Sequence, residues 1–316
     1  MAYVSRTDAL NLIVEQNSNS ILQGAAKTSV AMATFRTVNM GTSILNMPLL
    51  ETFPQAQWLT ATPPADVDIV AKPTTNMTWG VKQLFAEEAA TIVPIPENVL
   101  DDASFNLWSE VETRVAESIA RLIDQTVFFG TAPAGNIPAS FPVGGLVGEA
   151  TAAGHIVTPV DNLELLDDFS AAMEMVEADG YDVNTAYSGT GMRAPLRTLK
   201  DGDGRYVYTT DVREGTPVNS IFGVPLYWVS NGSWDATEAQ AIVGDRNMAV
   251  LGIRQRLTAK RLSEATINGF NLAEQDMLAL RVKIRLGFAV LVPKALGQSA
   301  DPYPFAVLGP KAPVVP

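Results

Sequence analysis

The chain has 316 residues, 47% of them hydrophobic and 18% charged, enough apolar mass for one large or two ordinary domains. It contains no cysteine, which removes disulfides, thiolate metal sites and cysteine nucleophiles together, and its net charge of −12 argues against a free nucleic-acid binder. Arg6, Asp8 and Glu15 interrupt any signal-peptide core, and no apolar run approaches the roughly 20 residues of a membrane span, so the expectation is a soluble chain with no membrane partner.

Residues 1–45 read as an arm. Ser5 and Asp8 resemble a capping box ahead of Ala9, Leu10, Leu12, Ile13 and Val14, and a second short helix is expected at Ile21, Leu22, Ala25 and Ala26. The arm has too little apolar surface to fold alone and must pack on something larger. Residues 46–83 hold Pro48, Pro54, Pro63, Pro64 and Pro73, a density that excludes helix and central strands. Strand-like pieces at Trp58–Thr60 and Thr78–Val81 flank a polar tip, Thr62–Asn76, which predicts a long two-stranded loop. Such a hairpin is marginal alone in water, so Trp58 and Trp79 imply a partner surface; the plainer alternative is an ordinary surface excursion.

From Leu84 to Val93 the chain is β-like, and it passes through Pro94-Ile95-Pro96-Glu97-Asn98 toward one long acidic helix starting near Ser104. Leu107, Val111, Val115, Ile119, Leu122 and Thr126 follow a 4-4-4-3-4 spacing, a narrow stripe that buries one face and leaves the rest to solvent or neighbours. Gly130 stops the helix, which makes a rod of roughly 39 Å. Glu110 with Arg114 and Glu117 with Arg121 are i,i+4 pairs in the favourable order. A connector rich in proline and glycine follows, residues 131–148.

A second region begins near 155. Asp161 and Glu164 cap a helix with apolar positions Leu166, Phe169, Met173 and Val176, which Gly180 closes. Next come a strand at Val183–Tyr187, a short helix at Arg193–Leu199, a tight turn at 201–204, and strands at Tyr206–Thr209 and Leu226–Val229. The last third is β-rich. Leu278, Leu280, Val282, Ile284 and Leu286 alternate with Ala279, Arg281, Lys283, Arg285 and Gly287, a period-2 strand with one apolar and one basic face. The whole reads as an α+β chain.

Charge is segregated along it. Residues 87–124 hold nine acidic and two basic residues, and residues 246–294 hold nine basic and three acidic. Blocks of opposite sign suggest pairing within or between subunits. The acidic helix is the in-chain candidate to face Arg281, Lys283 and Arg285; a solvated edge that discourages aggregation is the alternative.

No motif makes a catalytic or cofactor site. Gly189-Thr190-Gly191-Met192-Arg193-Ala194 matches a dinucleotide pattern, with Asp211 as a ribose ligand, but Pro195 and the 201–204 turn leave room for only a short helix, so a glycine turn explains it better. Asp201-Gly202-Asp203-Gly204 lacks the further ligands of a calcium loop, because Arg205 stands where a third acid belongs. His155 is the only histidine, no serine has the G-x-S-x-G context, and no cofactor or metal is expected.

The order of elements resembles the major capsid protein of tailed bacteriophages, the Hong Kong 97-like family, across nearly the whole chain. The resemblance lies in Val38-Asn39-Met40, Ile44–Pro48 and Pro54–Trp58 before the loop, and in Ala86–Ala89 and Ile95–Asp102 before the helix. Phe129-Gly130 resembles the helix exit. Leu196–Tyr206 and Ile221–Pro225 resemble an axial domain, and Val243-Gly244-Asp245 with Leu280-Arg281 resemble returning peripheral strands.

The resemblance implies a shell subunit that is not an enzyme. It would have an arm (1–45), an extended loop (46–83), a peripheral domain (84–148 and 236–285) with a spine helix at about 104–129, and an axial domain (149–235 and 286–316). Copies would form hexamers and pentamers of an icosahedral shell around double-stranded DNA, assembled in the host cytoplasm. Scaffolding would be a separate protein, with a portal and a decoration protein as further partners. Some members of the family crosslink Lys to Asn; Lys72 is the only lysine to consider, and no crosslink is expected. The candidate assembly contacts are Trp58, Lys72, Trp79, Glu110, Arg114, Glu117, Arg121, Arg281, Lys283 and Arg285. An encapsulin-type compartment shares the implied fold, and a nucleotide-binding α/β enzyme using the Gly189 turn is the remote alternative.

Overall fold

The computed structural model describes residues 29–52, 54, 56–58, 72, 74–102, 107–133, 135–159, 165–200, 203–204, 220–267, 269–293 and 302–310. The two expected arm helices, most of the loop tip, the Asp161 cap and the strand expected at Tyr206–Thr209 lie outside the described residues.

In chain order, a short helix α1 (Val30–Thr34) follows Ser29, whose side chain caps it by accepting from the Met32 amide. Strands β1 (Arg36–Asn39), β2 (Ile44–Thr52), β3 (Thr78–Phe85) and β4 (Glu87–Pro96) come next. Helices α2 (Glu97–Asp102), α3 (Leu107–Phe129) and α4 (Gly145–Ala152) follow, then β5 (Ile156–Val157) and α5 (Leu165–Ala178). After β6 (Thr185–Gly189), a 3-10 turn and α6 (Arg193–Thr198), the chain is almost entirely β. Its strands are β7 (Ser220–Ile221), β8 (Val224–Val229), β9 (Ala241–Gly244), β10 (Ala249–Leu262), β11 (Thr266–Ile267), β12 (Phe270–Asn271), β13 (Met277–Val290) and β14 (Phe305–Leu308).

Two sheets organise these elements. One has the order β1-β10-β13-β4, the other β5-β14-β9-β6-β8-β7. In the first, β10 and β13 are antiparallel strands of 14 residues, and β1 joins β10 in parallel. Alternation on β13 decides what covers the sheet. Leu280, Val282, Ile284 and Leu286 are buried and pack with Val115, Ile119 and Ile123 of α3 in the larger core. In the second sheet β6 and β9 are buried on both faces, and α5 lays Leu165, Phe169, Ala172, Met173 and Val176 against it.

Helix α3 spans 23 residues, about 34 Å. Its stripe is broader than the spacing predicts. Val115, Ile119 and Thr126 are buried as expected, but so are Ala116, Ala120, Ile123, Asp124, Val127 and Phe128. The reason is tertiary: α1 and α4 pack on the far side of the helix, so its C-terminal half is enclosed. Phe128 sits among Phe35, Tyr187 and Trp234, with ring centroids 5.2–5.8 Å apart. Gly130 (φ +58°) ends the helix where its backbone touches the backbone of Gly144 and Gly145, so close that no side chain fits.

Several expectations change. The stretch leading into the long helix holds a helix of its own, α2, within Glu97–Asp102. The partner of β3 is β2, and Trp58 is in no strand; Leu59 and Thr60 lie outside the described residues. Pro48 stands inside β2, opposite Val81, which agrees with the exclusion of central strands, since a two-stranded ribbon has only edges and can dispense with one amide. The expected boundaries at 235/236 and 285/286 cut across the sheets. Ala241–Gly244 belongs to the six-stranded sheet, and Met277–Val290 is one unbroken strand.

Candidate functional site

An apolar feature left open among the described residues is the β2–β3 ribbon. Its root is set by two glycines. Gly252 and Gly287 face each other across β10 and β13, and the flat patch they make receives Leu84, Phe85 and Met40. A side chain at Gly287 would strike the Phe85 carbonyl oxygen, and one at Gly252 would strike Leu84 and Met40. Leu84 is fully buried there. Away from the root, Trp79 (61%) and Val81 (62%) on the ribbon and Trp58 (96%) on the loop beyond it are exposed among the described residues. Leu50 and Pro48 face Trp79 and Val81 in register, so one ribbon face is largely apolar. Lys72 is exposed on the loop beyond.

The charges of α3 arrange differently from the predicted spacing. Arg114 clasps both Glu110 (2.8 Å) and Glu117 (3.0 Å). Glu117 therefore turns toward Arg114, and Arg121 is left exposed on the surface. Those two ion pairs lift the Arg114 guanidinium further above its ordinary value.

The basic strand does not face the acidic helix. Because α3 occupies the apolar face of β13, Arg281, Lys283 and Arg285 point to the opposite face of the sheet. Arg285 meets Glu88 of β4, its partner in register, at 4.0 Å. The helix meets a different cation: Arg261 of β10 lies over the Trp108 ring, 4.7 Å from its centroid. Burial pushes the neighbouring Glu112 carboxyl up, and the Arg261 charge opposes that shift.

Two buried polar clusters escape the sequence reading. Asp124 is completely buried, and its carboxylate accepts from Ser29 Oγ (2.7 Å), the amides of Val30 and Ala31 (both 3.1 Å) and Asn231 Nδ2 (2.6 Å). It ties the start of α1, the C-terminal part of α3 and the loop after β8 together. Burial raises its pKa, and the hydrogen bonds pull the other way. A lone carboxylate between Ala120 and Val127, on an apolar helix flank, was the available signal. In the second cluster His155 Nε2 lies 3.1 Å from Asp179 Oδ2, which also accepts from the Tyr303 amide, while the Tyr303 hydroxyl donates to Glu149. Both clusters fasten loops and strand ends. Among the described residues no group of His, Asp or Glu could hold a metal ion, and no helix is long and apolar enough to cross a membrane. Gly189 is required by packing, since Trp234 covers the space its side chain would fill, and α6 has only six residues.

A long helix laid on one face of a long-stranded sheet, a second sheet unit and an unsupported apolar ribbon define a structural subunit of the Hong Kong 97-like shell fold. A family model described as the phage capsid family matches residues 10–297, and the chain belongs to that family. It is 40% identical to a solved chain of Microbacterium phage Oxtober96, covering 98% of this chain and 100% of that one with a TM-score of 0.80. A chain of Mycobacterium phage Cain is 31% identical over 99% of this chain and 100% of its own, with a TM-score of 0.80. The capsid of an empty GTA particle, 15% identical over 90% of each chain with a TM-score of 0.59, shares the fold. No curated protein sequence matches the chain. The role is that of a structural major capsid protein that associates with copies of itself in a virion shell; the compartment and enzyme alternatives are not favoured.

Proposed function

We propose that this chain forms the wall of an icosahedral shell enclosing double-stranded DNA, and that the ribbon and the charged faces are its contacts between subunits. The observation that carries this reading is the ribbon. A two-stranded ribbon is marginal in water, yet this one holds Trp79 and Val81 more than half exposed. That exposure is relieved once a second copy covers the face. Trp58, Lys72, Trp79, the Glu110–Arg114–Glu117 cluster, Arg121 and the basic strand are the proposed contacts. Each is weak alone, and closure becomes cooperative because every copy makes several.

In this reading the four-stranded sheet with α3 is the peripheral domain, α3 its spine helix, and the six-stranded sheet the axial domain gathered at five-fold and six-fold positions. The shell assembles in the host cytoplasm with a separate scaffolding protein, a portal and a decoration protein, without subunit crosslinks and without enzymatic activity. The net charge of −12 keeps packaged DNA from adhering to the wall. Negative-stain electron microscopy of the purified protein, alone and with its scaffolding partner, tests this. Closed hollow particles are expected; only small uniform oligomers under both conditions would refute it.

A further inference from the structure

Strand β4 ends the four-stranded sheet, and its outer edge is open. It stands last in the strand order β1-β10-β13-β4. Pro94 and Pro96 have no amide hydrogen, and a sheet accepts proline where the amide would face away from the partner strand. Glu97, of the opposite parity, donates its amide to the Asp276 carbonyl oxygen beside β13 (2.8 Å). The amides of Glu88, Ala90 and Ile92 therefore point away from β13, and among the described residues no backbone group accepts from them. Such a row of unpaired donors and acceptors is a template for one more strand.

That edge borders a cavity of about 520 Å³ between β4, α3 and the connector after α3. Consecutive residues of β4, 87–91, line it. Side chains on a strand alternate between faces, so an unbroken run means that the backbone edge itself is a wall. The other walls include Ile119, Leu122 and Ile123 of α3 and Phe141 of the connector. Glu87 is half-buried on the α3 side of the sheet, where it faces Leu286 in register. Its Oε1 accepts from Ser140 Oγ (2.6 Å), and among the described residues no cation pairs with it.

We propose that this groove receives an extended segment of a partner protein, added to β4 as a further strand, with apolar side chains at alternate positions and a lysine or arginine opposite Glu87. An added strand runs about 4.8 Å from β4, and every second side chain turns to the cavity side. The apolar walls favour aliphatic residues at those positions, and the carboxylate without a cation favours a basic one. Glu87 and Glu88 repel a phosphate backbone. A small apolar ligand would fill the cavity but leave the edge amides unpaired, whereas a peptide satisfies both.

A synthetic peptide tests this on the full-length protein in its unassembled form. Acetyl-Thr-Val-Thr-Leu-Thr-Lys-Thr-amide, aligned antiparallel, places its Lys, Leu and Val opposite Glu87, Ala89 and Thr91. Binding slows hydrogen exchange at the amides of Glu88, Ala90 and Ile92 and leaves Ala89 and Thr91, which face β13, unchanged. Glutamine in place of the peptide lysine weakens binding about tenfold, and in the Glu87→Gln protein the two peptides bind alike. N-methylation of the alternate peptide amides that face β4 abolishes binding, and N-methylation of the other set does not. These peptide variants need no change to the protein, so a substitution that fails to fold cannot imitate the result. No protection of the three edge amides at millimolar peptide, or equal effects of the two N-methylated sets, overturns the proposal. Protection of the same amides in shells made from this chain alone also overturns it, in favour of a second copy on this edge. Failure to form shells would remove the capsid-wall reading and leave these readouts intact.

Discussion

Asp124 offers the sharpest test of how the subunit is held together. In Asp124→Ala the carboxylate that serves four donors disappears from a site with no access to water. Ser29 and the Ala31 amide are themselves buried, and each donor left without an acceptor costs about 1–3 kcal/mol. The carboxylate's own burial cost disappears too, so the net loss is expected at about 2–4 kcal/mol. Asp124→Asn is the informative companion. Its oxygen still accepts from Ser29 and Ala31, but its amide group meets the Val30 amide and Asn231 Nδ2 donor to donor. Asn231 cannot turn over freely, because its Oδ1 accepts from the amide and hydroxyl of Ser233. Burial raises the Asp124 pKa in the folded chain. Its contribution is then fully present below the unfolded value, about 3.9, and is lost as pH rises through the folded value. The advantage of the parent over Asp124→Asn is therefore widest in acid and narrows as pH rises. Urea unfolding of the subunits, followed by tryptophan fluorescence across that range, measures both quantities. A loss below about 1 kcal/mol for Asp124→Ala, or a gap to Asp124→Asn that widens with pH, would refute the reasoning.

Trp58→Ala or Trp79→Ala should leave the unfolding free energy of the subunit within about 0.5 kcal/mol of the parent while lowering the yield of shells in sedimentation; equal loss of both would remove the ribbon as a contact. The double variant Glu110→Ala with Glu117→Ala should behave the same way, since the cluster is solvent-exposed in the single chain. Gly287→Ala should destabilise the subunit by about 1–3 kcal/mol through overpacking, because its new methyl group meets the rigid Phe85 carbonyl, and limited proteolysis should cut the ribbon faster. Asp179→Ala removes the acceptor for His155 and for the Tyr303 amide, so hydrogen exchange should accelerate at Tyr303 and Val307 and remain unchanged in β10.

Local pattern was enough to reveal most of the architecture. Alternation on β13 defined its two faces before any contact was known, because side chains on a strand switch sides at every residue. The i,i+4 stripe and Gly130 located the long helix and its end. The ribbon's exposed Trp79 was legible because prolines leave so dense a segment few other forms. Resemblance to capsid proteins rested on the order of these short pieces.

Tertiary structure decided what those faces meet. Alternation says that Arg281, Lys283 and Arg285 share a side, but nothing local says which side α3 will cover. The apolar side releases more water-exposed surface on burial, so the acidic helix went there and the expected helix–strand charge pairing did not form. Proline at position 48 ruled out a central strand, and only the tertiary structure showed that β2 has a single partner. The breadth of the buried face of α3 came from α1 and α4, elements remote in sequence. Asp124 shows the limit most plainly. A carboxylate's donors can come from anywhere in the chain, and three of the four here lie more than 90 residues before it, with the fourth 107 residues after. Spacing along one helix carries no information about contacts made at that distance.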